Sequence, residues 1–341
     1  MSAMFRTASA LLLCGLVACG GVNDADDDAG APDGQAGPDA RPPDAAIPDA
    51  TPPDAAPPDA RIIEYNCDDL PSGPFSLRDM GGNITASEDL AFDADGNLVG
   101  SNDSTIFKSQ SAGTRTPFAS MSFRAALRYT AAGDLMVNDN NTNRVVRIEP
   151  DGTKHTVLSG IAYPNGMEIG IDGYVYVTEH DARRVRRIHP ITGEFTLISD
   201  DEIESPNGIT FNEDYTALYI GGFSGVGTIY KLPIDAEGNP GTLQEWAKDV
   251  GTGYLDGLAV DACGNVYVCD YGASRIYRIS KDGATRETII DESGPFTYMP
   301  NMQWGSGLGG WEEDRLYIPD GWSHGVFEVE IGVPGKPRVY P

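Results

Sequence analysis

Asn165-Gly-Met-Glu-Ile-Gly-Ile-Asp-Gly-Tyr-Val-Tyr-Val-Thr178 and Asp256-Gly-Leu-Ala-Val-Asp-Ala-Cys-Gly-Asn-Val-Tyr-Val-Cys269 align without a gap. Each reads as a short apolar strand, a turn ending in glycine, and an alternating apolar strand that closes on a polar residue. The same frame fits Glu88-Asp-Leu-Ala-Phe, Ala125-Ala-Leu-Arg-Tyr, Asn207-Gly-Ile-Thr-Phe and, more loosely, Asn301-Met-Gln-Trp. The six starts lie 37, 40, 42, 49 and 45 residues apart. Third strands follow in register, among them Arg144-Val-Val-Arg-Ile, Arg184-Val-Arg-Arg-Ile and Arg275-Ile-Tyr-Arg-Ile. Fourth strands are weaker, as expected at an exposed edge.

A period near forty residues with four short strands per unit predicts an all-β chain folded as a six-bladed β-propeller, four antiparallel strands per blade. A β-sandwich or two small β domains would not keep this regular spacing. Residues 62–341 form the propeller on this reading, and Ile62 to Met80 is expected to close the ring or cover an open edge.

The remaining residues read differently. Residues 1–19 carry one early cation, Arg6, and the apolar run Ala8 to Ala18, as an export signal does. That run is too short to span a bilayer. Its end, Leu16-Val-Ala-Cys19-Gly, resembles a bacterial lipobox, which makes Cys19 the expected lipidated N-terminus; an ordinary secretory signal cut near Ala18 is the alternative. Residues 20–61 hold ten aspartates against two arginines, and Pro-Asp-Ala recurs from 38, 43, 48, 53 and 58. Such a segment has almost no large apolar side chains to offset ordering entropy and is expected to be an extended, disordered acidic spacer.

The formal charge of −27 argues against nucleic acid and against docking on anionic lipid through a basic patch. The export signal and the lipobox-like end put the expected setting outside the cytoplasm, on a bacterial outer membrane or cell surface, with a lipid as the only membrane contact. The chain is expected to act as a monomer on a small molecule. Cys67, Cys263 and Cys269 remain after the signal. Cys263 and Cys269 stand too far apart along one strand to pair, so Cys67 with Cys263 is the expected disulfide, tying the N-terminal segment to blade five.

In a propeller the first strand of each blade starts at the central channel and the second returns to the same face. The six starts are Glu88, Ala125, Asn165, Asn207, Asp256 and Asn301, and five of them carry side-chain oxygen. Carboxylate and amide oxygens around one axis suit Ca²⁺, which takes six to eight oxygens at about 2.3–2.6 Å. Zinc or copper would call for His or Cys. Pro-Asn-Gly and Asp-Gly are also common turn signals, so each is open to a purely local reading. Second-strand ends add Asn102, Asp103, Asn138, Asp139, Glu179, His180, Asp270, Asp320 and His324 on the same face. His180 and His324 are the two histidines at this rim, where an ordinary imidazole suits proton transfer. Neither a Ser/His/Asp triad signature nor a phosphate loop nor a dinucleotide fingerprint is present.

With Glu in blade one, Asn in the Pro-Asn-Gly turns of blades three and four, and Asp in the Asp-Gly-Leu of blade five, residues 84 to 341 resemble the SMP-30/gluconolactonase/LRE-like family. Its relatives include the calcium-dependent paraoxonases and the squid-type diisopropylfluorophosphatase. The resemblance implies a catalytic Ca²⁺ held by Glu88, Asn165, Asn207 and Asp256, with Asn301 a further oxygen in the ring. It implies hydrolysis of lactone or ester substrates, the metal polarising the carbonyl and Asp256 activating water. The sequence departs from that pattern in blade one, where Glu88-Asp-Leu replaces the usual Glu-Gly-Pro, and in blade two, where the ring position is Ala125. A non-catalytic NHL-type propeller that binds a protein or glycan is the alternative expectation.

Overall fold

The chain divides into a unit Met1–Ala45 and a unit Ala46–Pro341. The computed structural model describes residues 63–339 except 103, 122–124 and 293–297, all within the second unit. The expected signal, its Cys19 and the spacer 20–61 lie outside the described residues, as does Asp103.

Six four-stranded antiparallel sheets follow one another along the chain. Their first strands are Leu90–Phe92, Leu127–Tyr129, Pro164–Ile169, Pro206–Phe211, Leu255–Val260 and Gln303–Trp304. Each lies beside a second strand whose alternating Val, Ile, Leu and Tyr side chains are fully buried, as in Val175–Glu179 and Val266–Asp270. The turn between first and second strand is chemically specified. Asp93 Oδ1 accepts the Asp95 and Asn97 amides, and Asp261 Oδ1 accepts those of Cys263 and Asn265. Gly96 (φ 77°) and Gly264 (φ 84°) take the left-handed conformation such a turn needs.

Each apolar core cluster is shared between two neighbouring blades. Val99 and Ile106 of blade one pack with Leu127 and Val137 of blade two, and so on around the ring. The last cluster joins Leu90 and Leu98 of blade one to Tyr317 and Val326 of blade six. Trp311, fully buried, crosses this junction and donates its indole N–H to the Gly96 carbonyl at 3.0 Å.

Blade six takes its outermost strand from the other end of the described chain. Arg78–Asp79 pairs antiparallel with Val326–Glu330, and the Arg78 guanidinium binds Glu328 at 2.7 Å. The segment before it runs along blade five: the Phe75 amide donates to the Ile289 carbonyl at 2.7 Å, and Cys67 is disulfide-bonded to Cys263. Cys269 is free and buried. At the end of the channel away from the first-strand starts, residues 331–338 form a strap. Gly335 bridges to Asp261, the Lys336 amide donates to the Val260 carbonyl at 2.9 Å, and Tyr215 Oη donates to the Pro337 carbonyl at 2.9 Å. Among the described residues no helix is long and apolar enough to cross a membrane.

Candidate active site

In blades three, four and five the pairing of first and second strands slips between Pro164 and Met167, between Pro206 and Ile209, and between Leu255 and Leu258. The residues inside these three bulges are Asn165-Gly166, Asn207-Gly208 and Asp256-Gly257. A bulge turns a side chain out of the regular up-and-down alternation, and here each one turns an oxygen-bearing side chain to the axis. The glycines are needed for close approach rather than for a turn. A Cβ on Gly166 would lie 2.3 Å from the Asn207 carbonyl oxygen, one on Gly208 would lie 2.1 Å from that of Asp256, and one on Gly257 would lie 2.5 Å from the Asn301 Cα. Thus the glycine of one blade seats the backbone that carries the next blade's oxygen.

Second-strand residues fix these backbones. The Asn138 amide donates to the carbonyls of Asn165 (2.8 Å) and Gly166 (3.1 Å). Thr178 Oγ1 accepts from the Gly166 amide at 2.8 Å and donates to the Asn207 carbonyl at 2.7 Å. Thr178 was not among the sequence candidates, since a lone Thr ending a strand carries no signal of its own.

Glu88, Asn165, Asn207 and Asp256 line one cleft of about 460 Å³, together with Asn140, His180, Asp181 and the rings of Tyr163, Phe223, Tyr254 and Tyr271. Burial, with the charges of Glu88 and Asp89 adding to it, raises the Asp256 carboxyl well above the usual carboxylate range. Asn207 is buried, and its Oδ1 has no hydrogen-bond partner. An orphaned buried acceptor is costly unless a cation or donor meets it. His180 Nδ1 lies 2.8 Å from Asp181 Oδ1. An ionised carboxylate only accepts, which makes Nδ1 the donor of this pair, and in the neutral ring Nε2 then keeps its lone pair.

Other expected residues are placed elsewhere. Asn301 Oδ1 accepts the Met302 amide at 2.9 Å, and Asn301 is not part of the cleft lining. His324 sits in the turn of blade six with φ 59°, its carbonyl accepting the Ala86 amide, and does not line the cleft. The second-strand carboxylates hold loops. Glu179 accepts the Ala162 amide, Asp270 the Thr252 amide and Asp320 the amides of Tyr298 and Trp322, while Asp139 caps the turn at Thr142. Asn102 does the same for Ser104 and Thr105.

Beneath the cleft the channel is filled by alternating charges. Arg128 Nη1 binds Asp89 Oδ2 at 2.5 Å, Arg128 Nε lies 3.8 Å from Glu168, and Lys336 Nζ lies 3.2 Å from the other Glu168 oxygen. Asp89, which stands where blades three to five have glycine, also accepts the Leu127 amide of blade two. Asp89, Arg128, Glu168 and Lys336 were missing from the sequence candidates because single charges in β-strands read as solvent-facing.

Residues 185–318 match the family described as the SMP-30/Gluconolactonase/LRE-like region. Over that stretch the chain is similar to the SMP-30/gluconolactonase/LRE-like family. The match contains Asn207 and Asp256, while Glu88 and Asn165 precede it. A curated relative, 6-deoxy-6-sulfogluconolactonase of Pseudomonas putida, is 30% identical over 145 residues, covering 38% of this chain and 47% of the relative. The aligned stretch thus spans about half of that relative's length. Among solved structures, a gluconolactonase of Xanthomonas campestris superposes with a TM-score of 0.66 at 20% identity, over 83% of this chain and 97% of that one. Regucalcin of Agrobacterium tumefaciens, a calcium-binding protein, gives 0.62 at 18% identity, over 79% and 97%. At these identities the likeness to solved structures bears on the fold.

Proposed function

We propose that this chain is a Ca²⁺-dependent hydrolase of lactone or ester bonds that acts outside the cytoplasm. The observation that carries the reading is the meeting of Glu88, Asn165, Asn207 and Asp256 in one cleft, with the buried Asn207 Oδ1 left without a hydrogen-bond partner. Two carboxylates and two amide oxygens form a hard-oxygen donor set that fits Ca²⁺. Among the described residues no group of three or more His, Cys, Asp or Glu could hold a metal, so a thiolate or imidazole metal has no matching donors here. The names of the gluconolactonase relatives and of calcium-binding regucalcin support the same chemistry.

When bound, Ca²⁺ supplies electrostatic polarisation of the substrate carbonyl. The residues of the chain do the rest. Asp256 takes a proton from water, as a carboxylate held beside the reacting carbonyl can. The hydroxide oxygen bonds to the carbonyl carbon and the ring C–O bond breaks. The proton held by Asp256 passes to the departing ring oxygen, giving a hydroxy acid. His180, oriented by Asp181, is a second proton acceptor in the same cleft.

The disulfide Cys67–Cys263 supports an oxidising compartment. The apolar run ending at Cys19 supports export and a lipid anchor.

Calorimetric titration of the purified chain with Ca²⁺ tests the reading, followed by a pH-stat screen of lactones. Binding that disappears in Asp256→Ala, with lactone opening that requires Ca²⁺, is the expected result. No binding at millimolar Ca²⁺ would overturn it, and binding without any lactone opening would return the chain to the NHL-type binding reading.

A further inference from the structure

We propose that the cleft selects an uncharged lactone or ester bearing an apolar or aromatic substituent, which lies along a wall of aromatic rings on blades three to six. The inference rests on the hydrolase reading above and names its substrate class.

The wall is continuous. Tyr163 and His180 meet edge to face at 5.5 Å, His180 and Phe223 at 6.3 Å, and Phe223 contacts Tyr254 at 5.2 Å and Tyr271 at 6.1 Å. Tyr271 stacks on Tyr298 at 5.2 Å with 28° between the planes, and Tyr298 reaches Trp322 at 6.2 Å. Five of these rings line the cleft that contains Asp256, and Tyr298 and Trp322 extend the row beyond it. Tyr163, Tyr254 and Tyr298 precede first strands, and His180, Phe223, Tyr271 and Trp322 follow second strands, so all of them belong to one face of the propeller.

These rings are not core. Tyr163 is 40% exposed, Tyr254 45% and Trp322 66%. A contiguous row of exposed aromatics at a cleft mouth leaves apolar area in water that a ligand can cover. Tyr163 also has φ 56° directly before Pro164. A bulky residue in the left-handed region is strained and persists where the surroundings impose it.

Charge narrows the ligand further. The lining holds the carboxylates Glu88, Asp181 and Asp256 and, among the described residues, no lysine or arginine. A substrate carrying a carboxylate, sulfonate or phosphate at its far end, away from the Ca²⁺-binding oxygens, would meet Asp181 and no lining cation. A polyhydroxylated ring would offer donors and acceptors that the tyrosine and phenylalanine faces cannot pair. A neutral apolar substituent matches the wall on both counts.

The test uses the full chain with Ca²⁺ and compares kcat/KM for δ-valerolactone, its δ-phenyl derivative and glucono-δ-lactone. The phenyl derivative is expected to be favoured at least tenfold over δ-valerolactone, chiefly through KM. That ratio should fall toward one in Tyr254→Ala and in Trp322→Ala and recover in Tyr254→Phe. A preference for glucono-δ-lactone, or a ratio indifferent to both alanine variants, overturns the proposal. Should no lactone be opened, the hydrolase reading fails by itself, and calorimetry with δ-valerolactam and its δ-phenyl derivative decides the wall. Tenfold tighter binding of the phenyl lactam, lost in Trp322→Ala, upholds it, and equal binding overturns it.

Discussion

Lys336 Nζ lies 3.2 Å from the Glu168 carboxylate, inside the channel end that the C-terminal strap covers. The same ammonium donates to Thr210 Oγ1 and to the Phe211 carbonyl, both at 3.0 Å. Burial pushes the lysine below its ordinary range, with the Glu168 charge opposing that shift. A pair this enclosed costs most when broken on one side only. Lys336→Met is therefore expected to destabilise the protein by on the order of 3 kcal/mol in urea unfolding. The double variant Lys336→Met with Glu168→Gln should lose clearly less. Equal losses would mean that the pair contributes packing alone.

Asp256 and Glu88 are like charges on one cleft, which gives a stability signature in the absence of metal. The raised folded-state pKa of Asp256 means the folded protein retains a proton that the unfolded chain has already released. Stability contributed by this group is greatest in acid and is lost as pH rises from the ordinary aspartate range, near 3.9, through the raised value. In chelator at pH 8, Asp256→Asn should thus melt higher than the parent chain. Added Ca²⁺ should reverse the order, because only the parent gains stability from the ion. A variant that melts lower than the parent in chelator would contradict the repulsion.

Gly208 is a strict test of the close packing at the axis. A methyl group there would overlap the Asp256 carbonyl at 2.1 Å and the Leu258 side chain at 2.7 Å. Gly208→Ala should cost about 1–3 kcal/mol and weaken Ca²⁺ binding, because the Asp256 backbone must shift. Gly82, with nothing within 4 Å of its would-be Cβ, serves as the control. Gly82→Ala should leave melting temperature and Ca²⁺ titration unchanged.

The disulfide closes a loop of 196 residues of sequence separation. Its loss in Cys67→Ser is expected to lower stability by about 2–4 kcal/mol, read as a lower urea midpoint. The remaining free thiol, Cys269, is fully buried and its pKa is pushed up by burial. It should react with thiol reagents only on unfolding.

The blade rhythm was legible because each repeat must bury one face on either side, which forces the same apolar alternation six times. The positions of Glu88, Asn165, Asn207 and Asp256 were legible for the same reason, since a shared register puts them at one end of one axis. The bulges were not legible. Pro-Asn-Gly signals a turn as readily as a kinked strand, and only the approach of the Asn207 carbonyl to Gly166 tells them apart. Arg128 and Glu168 follow the ordinary inside-outside alternation of strands, and ring closure alone makes their side of the strand an interior. Asp270 and Asp320 looked like rim chemistry because the sequence does not show that the amides of Thr252 and Tyr298 fold back onto them.

The latch strand Arg78–Asp79 is only two residues long, and it follows Cys67 in the chain. Tension applied along the chain from residues before Cys67 reaches the sulfur bridge first and passes covalently into the turn at Cys263. The load is thereby shunted into blade five, a sheet of four strands with five or six residues each. The short seam that keeps the ring shut carries none of it, so the propeller can be held by its N-terminal side without being unzipped from there.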